Sequence, residues 1–187
     1  MRKGFTLVEL SIVLVIVGLL IGGVLKGKSM IEGTKIKRVK TDVDGIVAAV
    51  YSYQDRFNAL PGDDAVARTF NGTAIAVGNG NGLLDTANER INGWRALIGA
   101  EFVAGDISQT TEVTVAKKTP YGGAYRFRNG TQGNKNGNYI DADNMPSNVI
   151  QALDEKYDDG ISNSGDIQAS GDYPATPVNR DMYWFAF

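Results

Sequence analysis

Cysteine and histidine are both absent from the 187 residues. Without cysteine there is no disulfide framework and no thiol nucleophile. Without histidine the commonest general base is missing, and the two absences together remove the usual zinc ligands. The five prolines all fall at or after Pro61, so the first third of the chain contains no proline. No phosphate-binding loop of the form GxxxxGK[ST] occurs. Carboxylate pairs and Ser/Lys combinations exist, but none sits in a recognisable catalytic motif, so no enzymatic activity is expected. Charge of either sign is modest: 19 basic against 21 acidic residues, net −2, with a pI near 5.2. That balance makes a poor general nucleic-acid binder.

What the chain does have is concentrated at its N-terminus. A short basic leader, Met1-Arg2-Lys3-Gly4, precedes an apolar run from Phe5 to Leu25. About 20 apolar residues suffice to span a bilayer. One carboxylate, Glu9, interrupts the run near its start. A charge within a membrane segment costs about 2.5–3.5 kcal/mol on insertion scales, so Glu9 needs a reason to be there. A secretory signal would place a small-residue cleavage site after the apolar core, and no clear Ala-x-Ala follows this one. Basic residues leave the orientation open. Arg2 and Lys3 precede the run, while Lys26, Lys28, Lys35, Lys37, Arg38 and Lys40 come after it. By the positive-inside rule alone the choice is ambiguous or reversed.

The absence of proline predicts one long helix from Phe5 to about Asn58. Its first half is apolar nearly all round, as a lipid-embedded or bundle-buried helix must be. Its second half carries Ile36, Val39, Val43, Ile46, Val50, Tyr53 and Phe57 at alternating spacings of three and four. This amphipathic stripe faces either a head domain of the same chain or a neighbouring helix. The first is preferred, because the rest of the domain needs an apolar surface to fold on. Gly22, Gly23, Gly27 and Gly33 lie between the halves. At about 1 kcal/mol each relative to alanine, they mark the soft point of the helix.

Leu60-Pro61-Gly62-Asp63 should end the helix. Beyond it, Thr86 and Glu89 have capping-box spacing and predict a helix over Ala87–Gly99. Strands are expected at Glu112–Ala116, Ala124–Arg128 and Tyr139–Ile140, with Thr119–Gly123 as the turn between the first two. Another helix is expected at Ser147–Tyr157. The apolar Met182–Phe187 is either a final strand or an exposed contact patch, the strand being preferred. The fold class is therefore α+β. A long N-terminal helix, half transmembrane and half amphipathic, packs on a small, loop-rich antiparallel-sheet head. The division is residues 1–4 as leader, 5–25 as transmembrane or bundle-core helix, 26–59 as its amphipathic half, and 60–187 as head.

The basic leader ending in Gly4, then Phe5, then Glu9 within an apolar run, resembles the N-terminal signal of type IV prepilins and pseudopilins. In the head, Leu60–Asp63, Gly78–Gly82, Glu89, Trp94, Asp154–Gly160 and Ser164-Gly165 resemble a subset of pilin-like proteins more loosely. The lack of cysteine departs from the disulfide-closed loop of many major pilins. It shifts weight toward a pseudopilin, a minor pilin or a disulfide-free major pilin. The resemblance implies cleavage between Gly4 and Phe5 by a prepilin peptidase/methyltransferase, with N-methylation of Phe5. Loss of Arg2 and Lys3 would take the net charge from −2 to −4. It also implies a single-pass inner-membrane protein, N-terminus cytoplasmic and head periplasmic, residing in the lipid bilayer before assembly. Assembly with itself or related pilins would come next, driven by an inner-membrane platform and ATPase, into an extracellular pilus or a periplasmic type II secretion pseudopilus. A minor or tip subunit for adhesion or DNA uptake is the alternative.

Glu9 is the candidate assembly residue: it would meet the N-terminal amine of Phe5 in an adjacent subunit, each charge neutralising the other in a low-dielectric core. The basic stretch Lys26–Lys40 would touch lipid headgroups or acidic neighbours. Three oxygen-rich loops, Asn79–Asp85, Asn134–Asp143 and Asp154–Asp166, contain the atoms that calcium prefers. The candidate metal residues are Asp158, Asp159, Asn163 and Asp166. Asparagine and aspartate beside glycine are also ordinary turn residues, and that reading leads for each loop.

Overall fold

A computed structural model describes Gly4 and residues 6–187. The expected modification at Phe5 lies outside the described residues. The chain divides into two compact units, residues 1–37 and 38–187.

In the first unit, helix α1 (Leu7–Phe57) begins and its apolar residues are exposed, from Leu7 and Val8 through Leu25 to Ile31. An 18-residue window of this helix has a mean hydropathy of 2.7, and none of it is buried. That is long and apolar enough to cross a membrane. Gly22, Gly23, Gly27 and Gly33 are helical throughout, so the expected soft point is wound in the single chain. A Cβ added at any of the four would meet open space.

In the second unit, α1 buries Val39, Val43, Ile46, Val50 and Tyr53, so the stripe serves the chain's own head. Phe57, at its far end, is half-buried. The helix closes on Asn58, whose φ of 52° leaves the helical region. Gly62 lies just beyond at φ 92°, and a Cβ there would lie 2.1 Å from the Glu89 carbonyl oxygen, so only glycine fits this turn.

Two short antiparallel strands, β1 (Arg68–Phe70) and β2 (Thr73–Ile75), come next; neither was expected. Helix α2 (Ala87–Gly99) has the bounds its capping box predicted, with Thr86 and Glu89 bonding reciprocally. Its Trp94 stacks on Phe127 at 4.9 Å between ring centroids.

The strand expected at Glu112–Ala116 is instead a helical turn, α3 (Glu112–Val115). Thr111 caps it, accepting from the Thr114 amide, and Glu112 in its first turn reaches Arg90 and Arg128. Alternating β-branched residues suggested a strand, but the cap and the two arginines decide otherwise. The Thr119–Gly123 turn closes as expected, joining the isolated bridge pair Lys118 and Ala124 rather than two strands.

The main sheet is antiparallel, in the order β3-β4-β6-β5. Its hairpin, β3 (Tyr125–Gln132) and β4 (Lys135–Pro146), is longer than the two short strands read from sequence. Gly130 and Gly137 lie opposite each other in it and disguised its length. Helix α4 (Ser147–Tyr157) has its expected bounds and buries Val149, Ile150 and Leu153. Strand β5 (Ile167–Ala169) pairs with β6 (Asn179–Trp184). The apolar Met182–Phe187 is packed inside, as preferred. Met182, Trp184 and Phe185 are buried, and Phe187 sits edge-on to Phe127.

Candidate functional site

Thr6 stands at the entrance to α1. The Thr6 amide and the Thr6 hydroxyl both donate to Glu9 Oε2 at 2.9 Å, and the Glu9 amide donates to Thr6 Oγ1 at 3.2 Å. This is a reciprocal capping box, satisfying backbone donors that a helix start would otherwise leave open. Thr6 and Glu9 have the same spacing as Thr86 and Glu89, so the signal was present in the sequence. It was missed because Glu9 was read only as a charge in an apolar run. The other oxygen, Glu9 Oε1, has no partner among the described residues. One oxygen therefore fixes the side chain while the other remains able to accept a donor. Gly4, before the helix, is exposed.

In the head the structure gathers Asp154, Asp158 and Asp159, with one oxygen of each within 4.8 Å of the others. Two of the expected metal residues are in this group and two are not. Asp166 is committed to an ion pair with Lys135, which arrives from the start of β4. Asn163 is exposed on the surface of the turn. Asp154 is the addition; it belongs to the last turns of α4, not to the glycine-containing turn that pointed to the others. It is fully buried, accepting from Tyr173 Oη at 2.7 Å and the Gly160 amide at 2.9 Å. Asp158 accepts from the Ile167 amide at 2.6 Å. Asp159 accepts from Ser164 Oγ at 2.6 Å and the Ile161 amide at 2.9 Å.

All these donors are neutral, so no cation offsets the three carboxylates among the described residues. Burial, and then the charges of Asp159 and Asp158, push the Asp154 carboxyl above its usual range. The Ser164 hydroxyl and Ile161 amide hold Asp159 below its own. The oxygens suit a hard cation such as calcium, and Asp154, Asp158 and Asp159 are the residues able to hold it.

The other two oxygen-rich segments are structural. Asn79 and Asn81 each accept from the amide two residues on, the ordinary asparagine turn. Asp63 fastens that loop from below, accepting from the Gly80 and Gly82 amides at 2.7 and 2.6 Å. The third segment, Asn134–Asp143, is mostly strand β4 rather than loop. A groove of about 690 Å³ lies beside Phe57, Leu60, Asp63, Arg68 and Phe187. Its two carboxylates are already engaged, Asp63 with the loop amides and Asp64 with Arg68.

The largest charged network was not foreseen. Arg126 and Arg128 bracket the buried Asp141 at 2.9 and 3.4 Å, and Arg128 and Arg90 share Glu112. Burial pushes the Asp141 carboxyl up to about 6, with Arg126 opposing the rise. Cross-strand pairing of Arg126 with Asp141 makes this a tie between β3 and β4.

Comparison with curated proteins and with solved structures returned no match. Residues 1–25 match the family described as the prokaryotic N-terminal methylation motif. The matched segment runs from the basic leader into the capped apolar helix α1, and the chain thus carries the prepilin signal of type IV pilins and pseudopilins.

Proposed function

We propose that this chain is a structural subunit of a type IV pilus-like filament or a type II secretion pseudopilus, cleaved between Gly4 and Phe5 and polymerised through α1. The observation that carries the reading is the methylation motif over residues 1–25 heading a helix whose apolar side chains, Leu7 to Leu25, are exposed among the described residues. Exposed apolar surface of this extent needs lipid before assembly and neighbouring helices after it. Glu9, whose Oε1 has no partner among the described residues, is the partner for the amine of an adjacent subunit. A charge in that core is tolerated only when paired. The head faces the periplasm or the exterior, and the peptidase, platform and ATPase lie with other proteins.

Two measurements test this. Intact mass and N-terminal analysis of native protein should show a chain starting at N-methylated Phe5. A chain still starting at Met1, or cut beyond Leu25, overturns the reading. Imaging of sheared cell-surface material, with mass spectrometry of the fibres, separates pilus from pseudopilus. Trace abundance in the fibres would assign a tip role instead.

Calcium at Asp154, Asp158 and Asp159 is the second part of the proposal, motivated by three carboxylates without a cation in a head without disulfides. A ligand that binds only the folded state adds RT ln(1 + [L]/Kd), about 2.7 kcal/mol at a hundredfold excess. The thermal midpoint of the full chain in detergent should rise with calcium and fall with chelator. Asp158→Ala with Asp159→Ala should abolish that response. Magnesium should substitute poorly, since it demands a smaller octahedral site. Equal midpoints with calcium and chelator would leave these residues as turn formers.

A further inference from the structure

The sequence contains six Asn-Gly pairs, starting at Asn71, Asn79, Asn81, Asn92, Asn129 and Asn136. In such a pair the glycine backbone nitrogen can attack the asparagine side-chain carbonyl, because glycine offers no side chain to obstruct the approach. Six pairs with the same local chemistry would age alike in an unfolded chain. The fold separates them.

Five are restrained. Asn79 and Asn81 accept from backbone amides and donate to Asp85, and their following nitrogens, Gly80 and Gly82, are both held by Asp63. Asn92 is buried in α2, bonded to Ala76 and Arg95. Asn129 donates to Asn138, and Asn136 accepts from Thr131, with Gly130 and Gly137 paired in the β3–β4 ladder.

Asn71 lacks these bonds. It lies exposed in the two-residue turn between β1 and β2, and neither its side chain nor the Gly72 amide has a hydrogen-bond partner among the described residues. Both residues have positive φ, 50° and 78°, as a type I′ hairpin turn requires. The hairpin behind it has only three residue pairs, and its ties to the head, Arg68 to Asp64 and Phe70 against Phe57, lie on the strands and not at the turn.

We propose that Asn71 is a selective site of spontaneous deamidation and isoaspartate formation. The Gly72 amide loses its proton to base, and its nitrogen forms a bond to Asn71 Cγ. The Cγ–Nδ2 bond breaks, and Nδ2 leaves as ammonia once reprotonated. Water then opens the resulting five-membered imide at either carbonyl, giving aspartate or isoaspartate. The product carries one more negative charge on the head, and the isoaspartyl form inserts an extra backbone carbon into a turn that has to reverse the chain in two residues.

The test is incubation of the folded full chain in detergent, in warm, mildly alkaline buffer, with peptide mapping afterwards. The readouts are the small mass gain from replacing an amide NH2 by OH and labelling by an isoaspartyl methyltransferase. The Asn71 peptide should convert several-fold faster than any peptide holding the other five pairs. In denatured protein the six rates should converge, and Gly72→Ala should sharply slow conversion at Asn71. Conversion at one of the other five pairs as fast as at Asn71, or no conversion at Asn71 while the denatured chain converts there, overturns the proposal.

Discussion

Two capping boxes of the same composition stand at opposite ends of the burial scale. Thr6 and Glu9 open α1 on an exposed surface, whereas Thr86 and Glu89 open α2 inside the head, where Glu89 is 3% exposed. Both glutamates return one oxygen to the cap. Their second oxygens differ: Glu89 Oε1 accepts from the Asn79 amide at 3.2 Å, tying α2 to the glycine-rich loop, while Glu9 Oε1 has no partner among the described residues. One motif thus closes a core in one region and presents a charge in the other. The two glutamates differ in the fate of a single oxygen.

The widest separation should come from Glu9→Val. It leaves the head untouched and eases membrane insertion. Cleaved, membrane-held protein should therefore persist while incorporation into fibres falls to traces. Wild-type fibre yield would refute the pairing role.

Glu89→Ala should do the reverse. Removing it strands the Thr86 and Asn79 amides, at a cost on the order of 2 kcal/mol in head stability, read by denaturant unfolding. Fibre yield should drop only as far as folded protein drops.

A smaller effect is expected from Thr86→Val, about 1 kcal/mol of stability. Its counterpart Thr6→Val should not change head unfolding but should lower fibre yield to a level between wild type and Glu9→Val, because the carboxylate loses the hydroxyl that helps to orient it. A head destabilised by Thr6→Val would dissolve the distinction between the two regions.

The head should also show a pH response of its own. Asp141 is raised from 3.8 to about 6 by burial. Below 3.8 both folded and unfolded chains hold the proton. Between 3.8 and about 6 only the folded chain holds it, so stability falls as pH rises through this window and the deficit is complete above it. The difference in thermal midpoint between wild type and Asp141→Asn should vary across that window and be flat above it.

Elements whose signals are local were legible in the sequence. Helix α2 announced itself through Thr86 and Glu89, α4 through its apolar spacing, and the end of α1 through Pro61-Gly62. Elements set by distant partners were not. Helical turn α3 depends on Arg90 and Arg128 meeting Glu112, and the β3–β4 hairpin hid behind Gly130 and Gly137. The acidic site obeyed the same rule. Asp158 and Asp159 were visible as neighbours in sequence, whereas Asp154 came from the helix and Asp166 was taken by Lys135, 31 residues away. At Glu9 the residue was legible and its cap was not.

Strand β6, the last element in chain order, is inserted between β4 and β5 rather than added at an edge. Until residues 179–184 have been made, the sheet has a gap in its interior, and β5 has no partner. Tyr51 of α1 likewise waits for residue 186, whose carbonyl accepts from its hydroxyl at 3.2 Å. Contacts spanning so much of the chain form late and slowly. The sheet therefore closes only when its last strand arrives, and a chain cut short before residue 179 would leave β5 without a neighbour.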